Sequence, residues 1–155
     1  MAFTNQSQRD AAATLWGIHV SKASATLPAG TTQDIFTVAG GRVLVRALIG
    51  EVTVEVGAGT TPDLQVQMDP TTGTTTDIAT DVVIASDEVG TLYYVEGDGT
   101  ALIPISSGYA QAAAGQGFIL PIGTVQIVTS ETTAGATKWD IWFLALDDGA
   151  SVVSA

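Results

Sequence analysis

The chain contains no cysteine, which removes a disulfide frame, a thiol nucleophile and any thiolate-bound metal together. It contains one histidine, so a histidine-rich metal site is excluded by count. That residue, His19, is the only imidazole a Ser-His-Asp triad has available, and no G-x-S-x-G elbow presents a nucleophile to it. Basic residues are scarce: five Lys and Arg stand against 16 Asp and Glu, for a formal charge of −11. Binding a phosphate backbone needs clustered cations, so nucleic acid is not an expected partner. Charged residues make up only 14% of the chain and aromatics 6%. Long apolar runs are also missing. The longest fall far short of the roughly 20 residues needed to cross a bilayer, so no membrane partner is expected. Met1 to Asp10 lacks a basic stretch followed by an apolar one, so no secretory signal is expected there.

What remains is a composition rich in Val, Ile, Thr, Ala and Gly, 46% hydrophobic over 155 residues. Such a mix favours strands and turns, and this length buries a real core. The first 26 residues read differently from the rest. Ser7 is placed to cap a short helix, with Asp10 three positions on and Ala11, Ala12, Ala13, Leu15 and Trp16 following. Ile18, Val20 and the small residues up to Leu27 then read as extended chain. Two readings stand for residues 1–26: a lid or edge strand on the core, or an arm that reaches a neighbouring subunit.

From Pro28 onward the pattern is strand and turn. Arg42 to Val56 places Leu44, Leu48, Val52, Val54 and Val56 on one face, interrupted by Arg46 and Gly50. Val43, Val45, Ala47 and Ile49 lie on the other, which then turns polar at Glu51, Thr53 and Glu55. The first half therefore expects cover on both faces, and Gly50 marks the expected bulge or bend. Leu64, Val66 and Met68 alternate with Gln65 and Gln67, as in a half-buried antiparallel strand. In the last long strand Trp139, Ile141, Phe143 and Ala145 share one face, and Trp142, Leu144 and Leu146 the other. About nine short strands separated by turn signals, without a long amphipathic helix, predict an all-β fold. The expected architecture over residues 27–155 is an antiparallel β-sandwich of jelly-roll type.

Chemistry is hard to assemble from these residues. Asp63, Asp69, Asp77, Asp81, Asp87, Glu88 and Asp98 fall in or beside turns, yet no D-x-D-x-D-G spacing organises them around calcium. Gly57 with Gly59, and Gly97 with Gly99, read as hairpin turns and not as phosphate cradles, because no helix follows. Trp16, Trp142, Tyr93, Tyr94 and Tyr109 are the aromatics that a sugar-stacking platform would draw on. No nucleophile, base and orienting group combine, so an enzyme, a cofactor and a bound metal are not expected. Association is the better reading. The residues expected at contacts are Phe3, Leu15, Trp16, Ile18 and Val20, then Arg42 and Arg46, then Trp142, Leu144 and Leu146. Few charges and uncovered strand faces of this kind suit a homo-oligomer. Arg42 and Arg46 are expected to meet carboxylates, within the protomer or across an interface.

Gly40 to Val45 running into Gly50–Thr53, the stretch Asp69–Gly73, the stretch DEVGTLY at 87–93, Gly135–Trp139 and LDDGA at 146–150 resemble small virion proteins of tailed bacteriophages. The likeness runs from about Leu27 to the last residue and rests on turn and strand punctuation. It resembles most the β-rich head decoration, or cement, proteins. That resemblance implies a homotrimer that binds the major capsid protein on the capsid exterior and stabilises the shell. A tail tube or fibre-base subunit, and a glycan-binding module of the virion surface, are the alternative expectations.

Overall fold

Buried and half-buried residues alternate along most of the chain, the period of strands covered on one side. The structure, a computed structural model, describes residues 15–58, 61–106 and 117–155. They form β1 (Ile18–Thr26), β2 (Thr32–Ala39), β3 (Val43–Val54), β4 (Asp63–Pro70), β5 (Thr76–Val83) and β6 (Leu92–Tyr94). Then come β7 (Ile103–Ile105), β8 (Phe118–Leu120), β9 (Gly123–Thr129), β10 (Ala136–Ala145) and β11 (Ser151–Ser154). Two antiparallel sheets face each other. Sheet A runs β1-β10-β3-β6-β7, with β8 also paired to β3; sheet B runs β11-β2-β9-β4-β5. Neighbours such as β10 and β3, or β2 and β9, lie far apart in the chain, so the two sheets are wound together. The fold is the all-β antiparallel sandwich that the sequence predicts.

The core lies between the sheets. Trp139, Ile141 and Phe143 of β10 and Leu48 and Val52 of β3 meet Phe36, Leu64, Val66, Val125 and Ile127 of sheet B. Trp139 is the largest of these, 1% exposed, and its Nε1 donates to Thr137 Oγ1 at 3.1 Å. Its ring lies beside Tyr93, with centroids 6.5 Å apart and planes at 24°. Gly50 lies under the same ring. A Cβ added there would stand 2.8 Å from Trp139 Cζ2 and Cη2.

Against β10, β3 bulges at Arg46 and again at Thr53, not at Gly50 as the change in pattern suggested. Trp142 pairs with Ala47 and Phe143 with Val45, so Arg46 is the extra residue. Val43 and Val45 point inward before it, and Leu48, Gly50 and Val52 after it. One inserted residue inverts the period of two, and both halves of the strand keep their apolar side in the core. Gly50 owes its place to the indole above it.

The stretch 18–26, for which both an edge strand on the core and an arm were expected, is the edge strand of sheet A. It runs antiparallel to β10 from Ile18 opposite Phe143 to Thr26 opposite Ala136. Val20 packs against the core. The helix expected from Ser7 lies outside the described residues, apart from Leu15 and Trp16, which have helical backbone. Strand β11 was missed by the sequence reading; it pairs with β2 from Ser151 opposite Ala39 to Ser154 opposite Phe36.

Candidate functional site

The two outer faces of the sandwich have different chemistry, and the contrast follows from register. On sheet A, residues directly opposite one another share a face, so the outward residues fall into cross-strand rows. Leu144 of β10 faces Leu44 of β3, which faces Ile119 of β8. In the next row His19 of β1 faces Trp142, which faces Ala47. A third row runs from Asp140 through Ile49 to Tyr94 and Ile103. Trp142, Leu144, Leu44, Ala47 and Ile49 are half-buried, while Ile119 and Leu146 are 58% and 44% exposed. The outer surface of sheet A is thus an apolar stripe across five strands.

Charge lines this stripe sparsely and mostly in pairs. Lys138 Nζ meets Glu51 Oε2 at 2.7 Å, which holds the ammonium above its ordinary pKa. His19 Nε2 lies 2.7 Å from Asp140 Oδ1, and its ring stacks on Trp142 with centroids 4.5 Å apart. Arg46 is the exception. It is exposed at the bulge and makes no ion pair among the described residues. In a chain of net charge −11, this guanidinium stands exposed beside the apolar stripe.

The other expected contact residues divide. Leu15 and Trp16 are 71% and 70% exposed next to the start of β1, and Ile18 is exposed at the sheet edge. Phe3 lies outside the described residues. Arg42 is not part of the stripe: its carboxylate is supplied within the protomer. Its Nε and Nη2 donate to Asp147 Oδ2 and Oδ1 at 3.0 and 2.9 Å, and its backbone N–H donates to Oδ2 at 2.8 Å. This clamp holds the Asp147 carboxyl well below the usual carboxylate range and raises the guanidinium in turn. It joins the start of β3 to the turn after β10, where Leu146 N–H also donates to Arg42 C=O.

Sheet B presents amides and acids instead. Gln65 Nε2 donates to Asp77 Oδ1 at 2.9 Å, Gln67 Nε2 to Gln126 Oε1 at 2.8 Å, and Gln126 Nε2 to Asp34 Oδ1 at 2.7 Å. Thr37, Thr124 and Asp69 form the adjoining row. The Gln65–Gln67 alternation gave this face in the sequence, but the partners on β2, β5 and β9 depend on register. The residues missed on sheet A are Leu44, Ala47, Ile49 and Ile119. Their signal was the two-sided apolar character of Val43–Ile49.

Other expected sites do not assemble. Tyr93 and Tyr94 are buried, Trp142 lies under His19, and Tyr109 is outside the described residues, so no open aromatic platform forms among those described. No three metal-ligating side chains converge among the described residues. Asp87 is engaged by Tyr93, whose hydroxyl donates to Oδ2 at 2.7 Å. Burial raises the Asp87 carboxyl, with the Tyr93 hydrogen bond opposing, and burial also raises the phenol strongly. Asp98 is lowered by the Thr100 hydroxyl and backbone N–H in a tight turn.

No family model matches this chain, and no curated protein matches it. A chain from the structure of infectious bursal disease virus, Gx strain, is similar over 87% of this chain at 14% identity, with a TM-score of 0.23. This chain spans 33% of that chain's length, and a likeness so distant bears on neither fold nor role.

Proposed function

We propose that this protein is a structural component of a virus particle, a head decoration protein that binds the outer capsid surface and stabilises the shell. The observation that carries the reading is the contrast between the two outer faces. A stripe of Leu44, Ala47, Trp142 and Leu144 with exposed Arg46 suits burial against neighbours, whereas the amide and carboxylate surface of sheet B suits solvent. The resemblance drawn from the sequence supports the same reading. The partners are further copies of the chain, as a trimer, and the major capsid protein. Many weak contacts per particle then sum to firm attachment.

The test uses particles stripped of the protein and then given it back. Wild-type protein is expected to rebind in fixed stoichiometry and raise the temperature at which the shell ruptures. Ala47→Glu and Leu146→Glu place a charge on the stripe at half-buried and exposed positions, so both are expected to fold and to lose rebinding. Shells whose rupture temperature ignores the protein overturn the cementing role. Stacked rings of the purified protein in negative stain favour a tail tube subunit.

A further inference from the structure

The sequence has two Asp-Gly steps, Asp98–Gly99 and Asp148–Gly149. At such a step an aspartyl carboxyl meets the next backbone nitrogen most readily, because glycine has no Cβ to block the approach. Both steps lie in exposed turns, with the glycines at φ of +80° and +82°. Nothing stands within 4 Å of where a Cβ would sit on either glycine. Dipeptide and exposure therefore do not separate the two sites. Hydrogen bonding does.

At Asp98 both reacting groups are engaged. Its Oδ1 accepts from the Thr100 backbone N–H at 2.9 Å and from the Thr100 hydroxyl at 2.5 Å. Gly99 N–H donates to Ile78 C=O at 3.2 Å. The Thr100 bonds also hold this carboxyl below its ordinary pKa, in the anionic form that does not release its oxygen as water. At Asp148 neither group is engaged. No hydrogen bond or ion pair among the described residues reaches its carboxylate or the Gly149 N–H. This turn is held by its ends instead. Ala150 N–H donates to Asp147 C=O at 3.1 Å, with the positive φ of Gly149 at the third position, as in a type II turn. Arg42 grips the Asp147 side chain.

We propose that Asp148–Gly149 is a site of spontaneous backbone modification that forms isoaspartate, with water as the only co-reactant. The Gly149 nitrogen attacks Asp148 Cγ, the carboxyl OH leaves with the amide proton as water, and a succinimide closes. Water then opens the ring. Breaking the bond from nitrogen to Cγ restores aspartate. Breaking the bond from nitrogen to the Asp148 carbonyl carbon leaves the chain running through Cβ and Cγ, with a free α-carboxylate. One water is lost and one gained, so mass and charge do not change. The backbone gains a carbon inside a turn that packs closely on its neighbour, since a Cβ on Gly40 would lie 2.1 Å from Gly149 O. The site lies between β10 and β11 and does not depend on the role read from the stripe on sheet A.

The experiment holds the folded full chain in warm neutral buffer, below its Tm, for several weeks. Peptide mapping with electron-transfer fragmentation distinguishes isoaspartate from aspartate at each step, and methyl transfer by an isoaspartyl methyltransferase counts the total. Isoaspartate is expected to accumulate at position 148 about tenfold or more faster than at 98, because reaction at 98 forfeits two bonds to a carboxylate and one to a backbone amide. In urea, where neither turn survives, the two rates should converge. Thr100→Val should raise the rate at 98 severalfold, and Asp148→Glu, whose carboxyl must close a larger ring, should remove the signal at 148. Both positions are exposed, so both variants are expected to fold. Three results overturn the proposal: no isoaspartate at 148, equal rates at the two steps in the folded chain, or a ratio that persists in urea and so belongs to the sequence alone.

Discussion

Replacing Gly50 with alanine sets two effects of opposite sign against each other. Gly50 has no positive φ, so alanine fits its backbone and stabilises by about 0.4–1 kcal/mol through a less flexible unfolded chain. Against this, the new methyl stands 2.8 Å from Trp139 Cζ2 and Cη2, well inside contact distance. The indole cannot simply yield. Its N–H is bonded to Thr137, its ring lies beside Tyr93, and it is 1% exposed in the core. Overpacking of this kind costs about 1–3 kcal/mol, so the net expectation is a loss of about 1.5 kcal/mol. With about 2.1 cal/mol/K per residue over 155 residues, the unfolding entropy is about 0.33 kcal/mol/K and Tm falls by about 5 °C. Scanning calorimetry at fixed protein concentration measures the shift. Trp139→Phe shortens the ring at the point of conflict, so in that background Gly50→Ala should become neutral or stabilising. A Tm for Gly50→Ala equal to or above wild type would show that the glycine is not required by the indole, and would refute the packing argument.

Two further substitutions test the carboxylates. Asp147→Asn removes the charge that grips Arg42, and it should lower Tm at neutral pH. The native carboxyl is depressed, so its contribution is present above the unfolded pKa of about 4 and disappears as pH falls through the folded value. The Tm difference between wild type and variant should therefore shrink between pH 5 and strong acid; a constant difference contradicts the clamp. Tyr93→Phe strips half-buried Asp87 of its donor at an expected cost of about 1–2 kcal/mol, the low end for a bond to a charged group. Asp87 is raised in the folded state, and loss of the phenol raises it further. The penalty should then grow as pH rises through the carboxylate range, level off above it and be smallest in acid, as followed by urea denaturation.

Much of sheet A was legible because its signal is local. The split of β10 into Trp139, Ile141 and Phe143 inward and Trp142 and Leu144 outward is simple alternation, and no neighbour is needed to see it. The bulge at Arg46 was not legible, because it exists only relative to Trp142 and Phe143 on the paired strand. Gly50 drew the prediction of a bend because glycine often marks one, whereas here tertiary packing set its identity. Strand β11 has four residues, too short for a period to register. The His19–Asp140 contact joins residues 121 positions apart, and the amide chain on sheet B crosses four strands; both are products of register. The apolar stripe was half visible: its residues were named on β10, but its continuation through Leu44 and Ile119 needed the pairing.

The bulge at Arg46 also sets how β3 tolerates changes in length. Deleting Arg46 would join Val45, opposite Phe143, directly to Ala47, opposite Trp142, and leave Val43, Val45, Leu48, Gly50 and Val52 inward in an unbroken period of two. A deletion on either side of it instead inverts the short stretch between the lost residue and position 46, with the bulge absorbed. Substitutions at position 46, and loss of the position, should therefore both be far milder for folding than a deletion elsewhere in the strand. Position 46 is thus one that the pairing with β10 hardly specifies, which leaves the identity of its side chain open to selection by whatever meets it from outside.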